Sequence, residues 1–368
     1  MPQHQPFFMS LNSPTLDVSQ LNSLPRGATV LVLGGLDVGK TTWILETAQA
    51  LIAEGKTVGL LDCDLGQGEI GPPGTLGTAL AVPGSPLRSL RDPVPLAEYF
   101  VGSTSPARHF LEVCVGAVQM ARVARKHRPD ILLVDTDGLV TGPDGRAYKY
   151  HLAELLLPQA IVAIARGSEL DPVLSSFTRR STPTLWRIPV SDLARRKTSA
   201  ARTTRRTARF LTALERSQPL QFSLDDVTLL GTGLGLGTPL PHHLQQFLSQ
   251  SLQRPVLHAE QIPGEGLYVV IHGEGWDSSG LAAVESFFST RSVTIVAAQK
   301  FAQLLVGLLA PTGALLGLGR IERIDFARRT LTIQSPCRKP RAVTQIRFGS
   351  LRLGADGREL GETRPGEL

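Results

Sequence analysis

Residues 30–43, VLVLGGLDVGKTTW, run from an apolar stretch through glycines into a lysine and two threonines. Gly34, Gly39, Lys40 and Thr41 satisfy the spacing G-x-x-x-x-G-K-[ST], a loop whose backbone N–H groups cradle phosphates. Its flanks agree with that reading. Residues 30–33 form a short apolar run that reads as a buried strand, and residues 42–53, TWILETAQALIA, carry apolar side chains at helical spacing. Strand, glycine loop and helix N-terminus together make an anion-binding unit. Gly35, Leu36, Asp37, Val38, Gly39, Lys40, Thr41 and Thr42 are the expected phosphate-binding residues. Lys40 is expected to reach the β- and γ-phosphates, and the Thr41 hydroxyl to ligate Mg²⁺.

The rest of the chain fits an α/β frame. After the loop, apolar runs at 57–61, 131–134 and 160–165 alternate with a long helical pattern at 110–126, which argues for a mostly parallel sheet wrapped by helices. Beyond about residue 217 the character changes to short strands and turn signals such as GLYVVIHGE, RTLTIQSP and GADG, with one convincing helix at 242–252. The expected organisation is an N-terminal arm over 1–27, a P-loop domain over 28–216, and a smaller β-rich domain over 217–368. The series GTGLGLG at 231–237 lacks the G-x-G-x-x-G spacing of a dinucleotide loop and reads as a turn.

Composition narrows the setting. Hydrophobic residues at 42% and charged residues at 19% suit a soluble globular chain. Cys63, Cys114 and Cys337 are too far apart for a zinc knuckle or a disulfide framework, so a cytoplasmic setting is expected. The apolar stretch 301–318 is interrupted by Pro311, Thr312 and Gly313, which suggests two core strands around a turn rather than a membrane span. A net charge of +6 points toward a polyanionic partner.

Three segments carry candidate chemistry. The second apolar strand leads into LLDCDLGQGEIGPPG, where Asp62 and Asp64 stand two apart and so project to one side of an extended segment. That side faces the phosphate loop if the two strands are neighbours. One carboxylate there can serve the metal and the other can accept a proton from an attacking hydroxyl; Gln67 can orient the acceptor. A competing metal-side acid is Asp135, at the end of ILLVDTDG, where Thr136, Asp137 and Gly138 begin a loop. Third, residues 194–214 carry Arg195, Arg196, Lys197, Arg202, Arg205, Arg206 and Arg209 with no acid until Glu215. Such a helix suits a lid over transferring phosphate or a track for a nucleic-acid backbone; the bland alternative is a solvated cationic face.

In their order along the chain these motifs resemble the polynucleotide 5′-hydroxyl kinases related to the RNA kinase of messenger-RNA 3′-end cleavage and tRNA-splicing complexes. The resemblance rests on GGLDVGKTT, DCDLGQ followed by PPG, YFVGSTSP (99–106), DTDGLVTG (135–142), RTTRR (202–206) and LLVGLLAPTGALLGLGRIERIDF. It implies ATP and Mg²⁺ as cofactors and the 5′-hydroxyl of RNA or DNA as acceptor. It further implies Lys40, Asp62, Asp64, Arg202 and Arg206 as catalytic residues, Thr41 and Asp62 on the metal, and Gln67, Thr136, Asp137 and Gly138 at the substrate. Two departures stand out: Leu139 occupies a position where the family often has tryptophan, and Asp135 replaces a more usual asparagine. Asparagine occurs only at Asn12 and Asn22, so the guanine-reading N-K-x-D motif is excluded. A nucleotide-switched assembly factor or an ATP-binding structural subunit are the competing classes; no membrane partner is implied, and protein partners stay open.

Overall fold

The computed structural model describes residues 18–192, 194–364 and 366–368, with the backbone alone for 18 and 19. The expected N-terminal arm thus lies mostly outside the described residues. The chain forms two compact units. Among the described residues, the first comprises those up to Gly71, Thr75–Tyr99 and His109–Arg202; the second comprises Pro72–Gly74, Phe100–Arg108 and those from Thr203 onward.

The first unit contains α1 (Val18–Asn22), β1 (Ala28–Gly34), α2 (Lys40–Ala53), β2 (Val58–Cys63), β3 (Thr75–Ala81), β4 (Ala97–Phe100), α3 (Phe110–Lys126), β5 (Ile131–Thr136), α4 (Gly142–Leu156), β6 (Ala160–Ala165), α5 (Asp171–Leu174) and β7 (Thr184–Pro189). Its strands form one sheet in the order β4-β3-β2-β5-β1-β6-β7. The pairs β1–β5, β1–β6, β2–β5 and β6–β7 are parallel, and β2–β3 is antiparallel. The central strands β1, β2 and β5 are buried along their whole length because both faces are covered. Val30, Val32, Leu60, Leu133 and Val162 meet Ile44, Ala48 and Leu51 of α2, and the alternate residues Leu31, Leu33, Leu132 and Val134 are buried as well. One feature of this order matters for the site: β5 lies between β1 and β2, so the strand carrying Asp62 is not the neighbour of the strand feeding the phosphate loop.

Helix α6 (Ser199–Ala213) spans the change of unit. The second unit continues with β8 (Gln218–Ser223), β9 (Thr228–Leu230), β10 (Thr238–Pro239), α7 (His242–Ser251), β11 (Val256–Ile262), β12 (Gly266–Ile271), α8 (Leu281–Phe287), β13 (Val293–Ala297), β14 (Leu304–Leu309), β15 (Leu315–Asp325), β16 (Thr330–Ser335), β17 (Gln345–Leu353) and β18 (Glu359–Glu362). One sheet runs β18-β17-β14-β15-β16-β8 with β9 added to β17, and a smaller one runs β10-β11-β12-β13. The apolar stretch 301–318 becomes the antiparallel pair β14–β15, as its interrupting Pro-Thr-Gly suggests. The glycines of 231–237 wrap a carboxylate of the chain itself: Gly235 and Gly237 donate their N–H groups to Glu260, which also pairs with His258 at 2.6 Å. Segment 100–108 docks on the larger sheet of this unit. A Cβ on Gly102 would stand 2.4 Å from the Gly349 Cα, so both positions demand glycine, and Phe100 joins Phe210, Leu305, Leu318, Leu351 and Leu353 in a buried cluster.

Candidate active site

The phosphate loop leaves β1 at Gly34 and ends where α2 begins. Gly39 is left-handed (φ +94°), no side chain caps α2, and its first turn holds no acid. The first N–H groups of the helix are therefore unsatisfied by side chains and point into the loop, the arrangement that fits an anion. Gly34 is required by close packing, since a Cβ there would stand 2.6 Å from Val38 Cγ2 and 2.7 Å from the Ile164 carbonyl. Lys40 is buried and folds across its own loop, donating to the carbonyls of Gly34 (3.0 Å) and Gly35 (2.8 Å).

Because β5 is the inner neighbour, its terminal Asp135 meets the loop directly. Thr41 Oγ1 donates to Asp135 Oδ2 at 2.6 Å, and Thr136 N donates to Oδ1 at 2.9 Å. Burial raises the Asp135 pKa, and the Lys40 charge and the Thr41 hydroxyl only partly counter it. Asp62 stands beside Asp135 in the register of β2 and β5. Burial first, then the Asp135 and Asp64 charges, push its pKa up. Its carboxylate is enclosed: Oδ1 accepts from Asp64 N at 3.0 Å, and Oδ2 accepts from the N–H groups of Glu69 and Ile70.

The expected projection of Asp62 and Asp64 to one side of an extended strand does not occur. The chain leaves β2 at Cys63 and turns, with Asp64 Oδ1 accepting from Gly66 N (3.0 Å) and Gln67 N (2.9 Å). Asp64 is partly exposed, and its Oδ2 carries no hydrogen bond among the described residues. Gln67 donates to Gly66 O at 3.0 Å and approaches Arg202 O at 3.5 Å, while its Oε1 is buried with no partner among the described residues.

In the 135–139 loop the side chains turn inward. Thr136 Oγ1 donates to Val32 O at 2.7 Å. Asp137 accepts from Leu139 N and, beneath the surface, from the Tyr148 hydroxyl at 2.7 Å and from Lys149 Nζ at 2.8 Å. Gly138 lies against the phosphate loop, where a Cβ would come within 2.5 Å of Leu36 Cδ2 and 2.8 Å of Leu36 N. Of this segment, then, Gly138 meets the loop by its backbone while the Thr136 and Asp137 side chains are consumed internally.

On the lid side, Arg202 Nη1 contacts Asp37 Oδ2 at 3.0 Å and Lys197 O at 2.9 Å, and Lys197 N donates to the same Asp37 oxygen at 3.0 Å. Arg206 belongs to the second unit, where its guanidinium grips both oxygens of Glu359 at 2.5 and 3.0 Å. The first unit therefore brings together Asp37, Gly39, Lys40, Thr41, Asp62, Asp64, Gln67, Asp135, Gly138 and Arg202, and Arg206 is engaged elsewhere.

Three residues escaped the sequence reading. Lys149 falls on the buried stripe of α4 with Gly145, Tyr148, Leu152 and Ala153; a lysine in an apolar stripe calls for a buried acid partner, and that was its signal. Tyr148 shares that partner. Arg166 follows β6 directly and donates to the carbonyls of Leu36 (3.3 Å) and Asp37 (2.7 Å). The rule that strand ends carry function points to it as much as to Asp135.

The family described as mRNA cleavage and polyadenylation factor CLP1 P-loop matches residues 34–215. The polyribonucleotide 5′-hydroxyl-kinase of Pyrococcus horikoshii is 32% identical over 93% of this chain and 90% of its own length. That of Thermococcus kodakarensis is 33% identical over 95% of each. Among solved structures, the wild-type Clp1p–Pcf11p (454–563) complex superposes with a TM-score of 0.58 at 12% identity, covering 91% of this chain and 77% of that one, a likeness of fold.

Proposed function

The chain belongs to the polyribonucleotide 5′-hydroxyl-kinase family, and from that premise and the geometry above we propose that it transfers the γ-phosphate of ATP to the 5′-hydroxyl of RNA or DNA. The observation that carries the reading is the uncapped phosphate loop with Lys40 inside it and Thr41 hydrogen-bonded to Asp135. An ATPase-like loop alone would leave Asp64 and Arg202 without work; here both sit in the same unit as the loop.

In this reading the loop N–H groups from Gly35 to Thr42 bind the β- and γ-phosphates. Lys40 exchanges two neutral carbonyl partners for anionic oxygens. Thr41 and Asp135 are the residues that would hold Mg²⁺, which when bound supplies charge neutralisation at the phosphates. The 5′-oxygen forms a bond to the γ-phosphorus as the bond from that phosphorus to the β–γ bridging oxygen breaks, and ADP leaves. The open Oδ2 of Asp64 accepts the hydroxyl proton, and Asp62 holds the turn that presents it. Arg202 offsets charge on the moving group. Asp137, saturated by Tyr148 and Lys149, fixes the loop that sets Gly138 beside the phosphates. We locate the activity in the cytoplasm, where the buried free thiols of Cys63, Cys114 and Cys337 stay reduced.

The test is incubation with γ-labelled ATP and 5′-hydroxyl oligonucleotides of RNA and of DNA. Label at the 5′ end is expected; release of inorganic phosphate with none on the oligonucleotide would reject the reading.

A further inference from the structure

A carboxylate at the tip of a loop built for anions needs a reason, since it repels the phosphates the loop holds. Asp37 is that carboxylate. Its backbone is left-handed (φ +56°), a conformation that asparagine tolerates equally well, so the turn by itself does not call for a charge. The charge is matched by Arg202 at 3.0 Å, with side chains only 13% and 22% exposed. The same oxygen receives Lys197 N, so one carboxylate fixes both the arginine and the chain entering α6. Asp37 is in turn fixed from behind, because Arg166 at the end of β6 clamps its carbonyl at 2.7 Å. The Arg202 carbonyl faces Gln67, next to the Asp64 turn. Arg202 is thus held between the loop tip on one side and the acceptor-side turn on the other.

We propose that Asp37 is a positioning residue: its carboxylate anchors Arg202 and the entry to α6 to the phosphate loop, so that the arginine is in place before chemistry begins. The inference rests on the kinase reading above. Preorganised charge acts in the transition state without a reorganisation cost at the moment of transfer. Losing the anchor therefore affects turnover rather than nucleotide binding, and removing a negative charge from the loop leaves ATP binding equal or tighter.

Two variants test it. Asp37→Asn keeps the shape and the left-handed backbone but not the charge; Asp37→Gly keeps the backbone, with the carbonyl that Arg166 holds, and removes the side-chain acceptors. At saturating ATP and RNA, Asp37→Asn is expected to lose about 10- to 100-fold in kcat, the scale of a misplaced catalytic group, with nucleotide Kd unchanged or lower. In an Arg202→Ala background the same substitution should add little, because the two act as one unit. Independently of activity, amide hydrogen exchange across 194–202 in the ligand-free protein should speed up in Asp37→Gly. Unchanged exchange, unchanged kcat, or a loss of ATP affinity that parallels the loss of turnover would each overturn the anchor. Failure of the kinase reading looks different: the wild-type protein itself would transfer no label.

Discussion

Lys40 is buried with its ammonium on two backbone carbonyls, so its removal is expected to touch charge more than packing. Lys40→Ala is expected to fold with a near-native melting temperature and to lose at least ~10²-fold in turnover, the scale of one preorganised electrostatic group; a folded variant with wild-type turnover would remove the loop from the chemistry. The two strand-end acids separate by their partners. Asp135→Asn should raise the Mg²⁺ concentration needed for half-maximal rate while leaving the fold intact. Asp62→Ala strands three backbone N–H groups, which costs about 1–3 kcal/mol for each buried group left unpaired, so its signature is a lower melting temperature with unaltered Mg²⁺ dependence. A metal titration of both variants beside their thermal melts distinguishes these outcomes. At this scale the sequence was informative where a motif dictates backbone geometry, as at Gly39, Lys40 and Thr41. It was silent where a role depends on where a strand ends. Asp62 and Asp64 look equivalent on paper, and a turn beginning one residue earlier makes one a scaffold and leaves the other open.

Helix α6 carries the second level of control. Its cationic face is legible from the sequence, but the acids that answer it are far away in the chain: Asp37 for Arg202 and Glu359 for Arg206. No local pattern could have paired them, since separations of 165 and 153 residues leave no periodic trace. The pairing also ranks the two arginines. Arg202→Ala is expected to lose most of its turnover at saturating ATP and oligonucleotide, the mark of an interaction made in the transition state. Arg206→Ala should lose less turnover and melt earlier, and Glu359→Gln should melt earlier by a similar amount. Steady-state kinetics with thermal melts of the three variants checks the ranking; equal kinetic losses at positions 202 and 206 with unchanged melts would reject it. The strands and helices themselves were mostly readable because their apolar period is strong. Residues 110–126 and 160–165 coincide with α3 and β6.

Across the whole molecule, the glycine series of 231–237 closes on Glu260. Burial works to raise the Glu260 pKa, but the His258 hydrogen bond and the Gly237 and Gly235 N–H groups outweigh it and hold it below the ordinary value of 4.5. A depressed folded pKa means stability that is present above pH 4.5 and lost as pH falls through the folded value. Glu260→Gln should therefore lower the melting temperature at pH 7 and flatten its dependence on pH in the acid range, which calorimetry between pH 3 and roughly 7 measures; an unchanged acid profile would deny the carboxylate that role. The alternating α/β pattern and the later β-rich pattern were visible as stretches of sequence, but the weaving of 72–74 and 100–108 into the second unit was not, because those pieces look like ordinary connections. That weaving has a consequence for how the chain is made. Synthesis proceeds from the N-terminus, so the segment around Ser103 leaves the ribosome long before Glu362, its partner 259 residues later, exists. Phe100, too, must wait for Leu351 and Leu353 to cover it. A nascent chain stopped ahead of β17 already possesses its whole phosphate loop, yet Phe100 then has only Phe210, Leu305 and Leu318 of its cluster and the segment 100–108 lacks its Gly349 contact, an incomplete docking that proteolysis between 100 and 108 would detect. Only translation through β17 and β18 closes that seam, so the packing of one early segment waits on strands made long after it.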